Sequence, residues 1–166
     1  MTENNLFFEN LEKTQAEISH KIDALKLEQS STLDNLFDIH HEAVFEKTDC
    51  LTCANCCRNY SPIIEQEDID RIQKALNVDG KYLFDNFIEM DEDGDFVFKA
   101  QPCPMLDLDT NKCTIYIDRP NACAEYPHTK MKRIKTHLEL LETNATICPA
   151  ANEILDKVYS AIKNNE

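Results

Sequence analysis

Two glycines, no tryptophan and only 17 basic residues in a chain of 166 exclude several kinds of function. Two glycines are too few for a phosphate-cradling loop, and neither a GxGxxG nor a P-loop sequence occurs. Against 31 acidic residues the basic ones leave a formal net charge of −14. Nucleic acid is therefore not an expected partner, because phosphate affinity comes largely from Lys and Arg; nor is an anionic membrane surface. Apolar runs extend over a few residues at most, too short to cross a bilayer. Residues 1–10 lack the cationic start and apolar stretch of a signal peptide. A cytoplasmic location is the expectation, and there thiols stay reduced. No HExxH and no serine elbow is present.

What the chain has in excess is cysteine, eight in all. None falls in residues 1–49, which read as helical. Leu11, Ile18, Ile22 and Leu25 share one face of a first helix, and Leu33, Leu36, Phe37 and Val44 share one face of a second. Between them Gln29, Ser30, Ser31 and Thr32 offer N-cap candidates. Eleven acids against four bases give this segment half the formal charge of the chain. Beyond it, short helices are expected over 65–76 and after Asp79, and a strand over Phe96–Phe98. The acidic runs at Asp91 and Asp107 lack the Gly and Glu that a calcium loop requires at its sixth and twelfth positions, so they read as turns. Lys130, Lys132, Arg133 and Lys135 form the only basic cluster, expected to pair with the protein's own carboxylates. Pro149, after Cys148, suits the first turn of a last helix that buries Ala151, Ile154, Leu155, Val158 and Ile162.

The cysteines begin with Cys50, Cys53, Cys56 and Cys57, a CxxCxxCC run. Sulfurs three residues apart across a tight turn can approach one metal, so Cys50, Cys53 and Cys56 can surround a centre from a single loop. Cys57, adjacent to Cys56, is expected to point away from it. A fourth ligand must then come from Cys103, Cys113, Cys123 or Cys148. Three clustered cysteines plus a distant one followed by proline is a pattern of iron–sulfur ligation, and both Cys103 and Cys148 precede proline. Zinc sites more often use separated CxxC pairs. The eight also divide into two sets of four, with Cys57 in the second, and one site or two both remain open. Thiolate centres are anionic and need cations or amides nearby, for which Arg58 and Arg119 are the candidates. His128 and His137 sit in no recognisable nucleophile–base pattern, while Tyr116, Tyr126 and Pro127 are expected to pack around the cluster.

These residues resemble the CxxCxxCC cysteine-cluster family, YkgJ-like domains described as zinc- or iron-chelating. The likeness is carried by Cys50, Cys53, Cys56, Cys57 and Arg58, then Cys103-Pro104-Met105-Leu106-Asp107, Cys113 with Tyr116, Arg119-Pro120, Cys123 and Tyr126-Pro127. It covers roughly residues 49–150. The resemblance implies a bacterial-type domain holding zinc or an iron–sulfur cluster. Its relatives include a flagellin lysine methylase in which the cysteine pattern is thought to support the reaction. Two positions depart from the family: Ala54 stands where Gly often follows the second cysteine, and Ala124 where Arg often follows the cysteine after Arg-Pro.

The expected fold is mainly α with a small β hairpin: an irregular cysteine-rich core packed by short helices, behind an N-terminal helical hairpin. Residues 1–48 read as an acidic extension and 49–166 as the metal-binding domain. The cofactor is a [4Fe–4S]-type cluster or Zn2+, in a structural or redox module acting with a protein partner. Component of an enzyme that modifies another protein, and metal storage or delivery, are the alternatives. No binding signature for nicotinamide, flavin or S-adenosylmethionine occurs.

Overall fold

A computed structural model describes residues 11–164, with side chains from Thr14 onward. The segment 1–10 and the side chain of Leu11 lie outside the described residues. In chain order the elements are α1 (Leu11–Leu25), α2 (Ser30–Phe45), α3 (Cys50–Cys53), α4 (Asn55–Asn59), α5 (Gln66–Leu76), α6 (Gly80–Asn86), β1 (Ile88–Met90), β2 (Phe96–Phe98), α7 (Asn121–Glu125), α8 (Leu138–Ile147) and α9 (Pro149–Lys163). Short 3-10 turns lie at Tyr116–Asp118 and Ile134–His137. The protein is mainly α with one two-stranded antiparallel sheet. Among the described residues no helix is long and apolar enough to cross a membrane.

The chain folds as two compact units. One runs to Thr48 and resumes at Pro127; the other is Asp49–Tyr126.

The first unit is a helical bundle built from stripes of apolar residues at helical spacing. Ile18, Ile22 and Leu25 of α1 share a core with Leu33, Phe37 and Val44 of α2, Leu138, Leu141 and Ala145 of α8, and Ala151, Ile154, Leu155 and Val158 of α9. Both N-terminal helices find a packing partner in α9, and α1 also packs on α8. The N-cap of α2 falls on Gln29, whose side chain makes no capping bond. The cap of α9 is Cys148, whose sulfur accepts from the Ala151 amide at 3.4 Å. The basic cluster is used internally. Lys130 pairs with Glu42, Lys135 Nζ donates to the Glu28 carbonyl at 2.5 Å, and the Asp34 carboxylate accepts from the Arg133 and Ile134 amides at 3.1 and 2.9 Å.

The second unit has a smaller core of Ile64, Ile69, Ile72, Leu83, Ile88, Phe98, Met105 and Ile115. Its hairpin turns through Asp91–Asp95, where the Asp91 carboxylate accepts from the Asp93 and Asp95 amides. That turn sets the register Ile88↔Phe98 and Met90↔Phe96. The segment entering α5 follows β2, with the Ile64 amide on the Phe96 carbonyl at 2.7 Å and the Phe98 amide on Ser61 Oγ at 2.8 Å. Everything else in this unit is short helices, turns and cysteine-bearing loops.

Candidate metal centre

The cysteine run owes its shape to local capping. Asp49 caps α3 by accepting from the Leu51 amide at 2.9 Å. One turn later Ala54 adopts φ 51° and ψ 19°, the left-handed conformation that ends α3 and starts α4. A residue with φ in this range is favoured as glycine, because Cβ crowds the backbone there. Two single-turn helices broken at a left-handed residue thus carry the four sulfurs of Cys50, Cys53, Cys56 and Cys57. Cys56 Sγ and Cys57 Sγ stand 4.0 Å apart, so Cys57 does not point away from its neighbour as its position in sequence implies. Two thiolates on one tetrahedral zinc, each about 2.3 Å from the ion, lie about 3.8 Å apart; adjacency is no bar to a shared centre.

Two of the distant cysteines are tied to this run through main chain. The Cys103 amide donates to the Cys57 carbonyl at 2.7 Å, and the Leu106 amide donates back to the Cys103 carbonyl at 2.9 Å. Leu106 in turn forms a β-bridge with Cys113, reinforced by the Asp107 amide on the Lys112 carbonyl and the Thr114 amide on the Met105 carbonyl. Arg58 closes the loop by donating to the Asn111 side chain.

Cys123 arrives by another route. It lies in α7, whose first residue, Asn121, donates its amide to Asp68 Oδ1 at 3.0 Å. Asp68 is fully buried, takes a 2.6 Å ion pair from Arg71, and accepts the Glu65 amide at 3.0 Å. Arg71 Nη2 also donates to the Arg119 carbonyl at 3.2 Å and to Asn121 Oδ1 at 2.9 Å. Sequence reasoning did not single out Asp68, Arg71 or Asn121. The visible signal was Asp68 three residues after Glu65, in the spacing of a capping box.

The thiols sense one another's charge. Burial pushes Cys123 up to about 12, with Cys57, Cys103 and Cys113 adding to the shift and Arg119 opposing it. Burial likewise raises Cys103 to about 11, with Cys57 and Cys113 contributing. Burial raises Cys113 too, and Cys57 adds while Arg119 opposes. Cys50 is raised by burial, then by Cys53, Asp49 and Cys57, again against Arg119. Cys57 is lowered, to about 7, chiefly by the hydrogen bond with Cys56 and further by its own amide and Arg58, against burial. Every pair within Cys57, Cys103, Cys113 and Cys123 therefore interacts. Arg119 is the cation that Cys50, Cys113 and Cys123 feel, its guanidinium carbon 4.0 Å above the Tyr116 ring and Nη1 on the Tyr116 carbonyl at 2.5 Å. Tyr116 thus carries the Arg119 cation, and Ala124, where the family often has arginine, is exposed.

Cys148 belongs to the helical unit. All eight cysteines are free thiols, a donor set that suits zinc or iron–sulfur chemistry better than hard cations. Among the described residues no three His, Cys, Asp or Glu side chains converge tightly enough to hold a single metal ion. The donor chemistry fits a soft-metal centre.

Residues 49–149 match the CxxCxxCC family, described as "Putative zinc- or iron-chelating domain". No curated protein and no solved structure matches the chain.

Proposed function

Because the chain belongs to the CxxCxxCC family, we propose that its Asp49–Tyr126 unit is a metal-binding module whose ligands include Cys57, Cys103, Cys113 and Cys123. What carries the reading is the main-chain framework that joins Cys57, Cys103 and Cys113, with Cys123 near enough to feel the charge of all three. Cys50, Cys53 and Cys56 lie beside them and complete the sulfur surface. Arg58 and Arg119 offset part of the negative charge that the bound thiolates would carry. An iron–sulfur cluster would supply one-electron chemistry, and zinc would supply folding energy.

Three clustered cysteines with a distant one followed by proline, here Cys103-Pro104, form a pattern of iron–sulfur ligation, which supports the cluster. A specific observation favours the second reading, a structural metal: the unit buries eight apolar residues in its core, and small cores commonly rely on a metal. Under either reading the module acts with a protein partner. Ile117, 87% exposed and two residues from Arg119, offers that partner an apolar contact.

The test is anaerobic expression followed by iron, zinc and acid-labile sulfide per chain, with a visible spectrum. Brown protein carrying iron and sulfide supports the cluster, and colourless protein with stoichiometric zinc supports the structural site. Protein that takes up neither metal overturns the proposal.

A further inference from the structure

The four cysteines are not anchored alike. Cys57, Cys103 and Cys113 are joined by main-chain hydrogen bonds and a β-bridge, whereas the Arg119–Cys123 segment reaches α5 through side chains. Asp68 and Arg71 lie three residues apart on that helix and share a 2.6 Å ion pair. Between them they hold three points of the segment: the Arg119 carbonyl, the Asn121 amide and the Asn121 side chain. A fully buried carboxylate paired on one side only would be costly. Asp68 instead has a partner in each direction, with the Glu65 amide fixing it to the start of α5. Arg71 reaches Asp68, the Arg119 carbonyl and Asn121 from one atom, Nη2, a point that the lysine side chain, one atom shorter, does not reach.

We propose that the Asp68–Arg71 pair is a positioning clamp that sets Cys123 and the Arg119 cation against the other sulfurs, and so governs how long a bound metal is retained. The pair touches neither sulfur nor metal; it acts through Asn121 and Arg119. The inference rests on the metal-binding reading for its consequence, but the clamp itself is testable without metal.

The experiment has two arms on the full chain. In the first, metal-free reduced protein is pulsed with iodoacetamide, and each cysteine is followed by peptide mass spectrometry. Arg71→Gln should raise the alkylation rate of Cys123 about tenfold to a hundredfold, the range set by losing a charge-assisted hydrogen bond, and leave Cys103 and Cys113 unchanged. Arg71→Lys should behave like Arg71→Gln. Should Arg71→Gln fail to fold, Asn121→Ala, which keeps the amide on Asp68, should raise Cys123 alone by a smaller factor. Equal rises at all three cysteines, no rise at Cys123, or full rescue by lysine would each overturn the clamp.

In the second arm, zinc-loaded wild type and variants are mixed with a chromogenic chelator. Faster release from Arg71→Gln at unchanged zinc stoichiometry is the expected result, and equal release rates would overturn the role in retention. Wild type that takes up neither zinc nor iron would instead defeat the metal-binding reading, while the first arm would still decide the clamp.

Discussion

The amide of Cys103 donates a 2.7 Å hydrogen bond to the carbonyl of Cys57. Two cysteines far apart in sequence are thereby joined through backbone, leaving both sulfurs available. Cys103→Ser keeps that bond and removes only the thiol, so the Asp49–Tyr126 unit should keep its place while losing a ligand. Bound metal per chain, measured by elemental analysis after anaerobic purification, should fall to a small fraction of wild type. Full metal content in a folded Cys103→Ser protein would take this sulfur out of the ligand set.

The pH behaviour of the metal-free protein follows from opposite shifts. Cys57 is lowered to about 7 by its bond with Cys56; unfolding returns it to the ordinary thiol value of about 8.5. Its stabilising contribution is complete above that value and is lost as pH falls through 7. Cys103 and Cys123, raised by burial to about 11 and about 12, contribute stability that is complete below the unfolded value and is lost as pH rises through theirs. The thiols together place maximum stability of the metal-free unit near pH 8.5. Urea midpoints in reductant, taken from pH 6 to 10 for wild type and Cys57→Ala, should show the alanine penalty growing between pH 7 and 8.5. A penalty independent of pH would contradict the assignment.

Much of the fold was legible in residue spacing. The stripes Ile18-Ile22-Leu25 and Ile154-Leu155-Val158-Ile162 are buried as their periodicity implies, and Phe96–Phe98 is a strand. Periodicity names the buried face and not the partner, so the packing of α9 against both N-terminal helices could not be read from it. The same limit applies to the site. The CxxCxxCC run announces a thiol cluster, but the facing of Cys57 and Cys56 depends on side-chain directions within a single helical turn. The role of Asp68 was hidden for another reason. An acidic residue early in a helix is ordinary as a cap, and only the fold brings Asn121 to its second oxygen.

Ala54 tests how the run tolerates its departure from the family's glycine. At φ 51° an L-residue costs about 1–2 kcal/mol. Ala54→Gly relieves this but gives up a buried methyl worth about 0.8 kcal/mol and frees the unfolded chain by about 0.4–1 kcal/mol. The terms nearly cancel, so a change within about 0.5 kcal/mol is expected. Ala54→Val should instead lose about 2 kcal/mol or more, because a β-branched side chain is a true outlier in this conformation and the site is 3% exposed. Chemical denaturation of the two variants measures both. A well-tolerated valine would mean that the left-handed turn between α3 and α4 does not hold.

Metal removal should separate the two units. The helical unit buries sixteen apolar residues in its core among the described residues, the cysteine-bearing unit eight. Hydrophobic burial is the main stabilising term, and short helices such as α3, α4 and α7 are marginal on their own. A metal that binds only the folded form adds its binding free energy to the stability of the unit that holds it. Chelator treatment under anaerobic reducing conditions should therefore speed amide exchange in peptides from 50 to 126, most at Cys50–Asn59 and Asn121–Glu125. Peptides from α1, α2, α8 and α9 should keep their protection. Hydrogen exchange with mass spectrometry, before and after chelation, reads both regions in one experiment. Unchanged exchange around the cysteines would show that metal contributes nothing to their order, and the structural reading would then fail while a weakly held redox centre would survive.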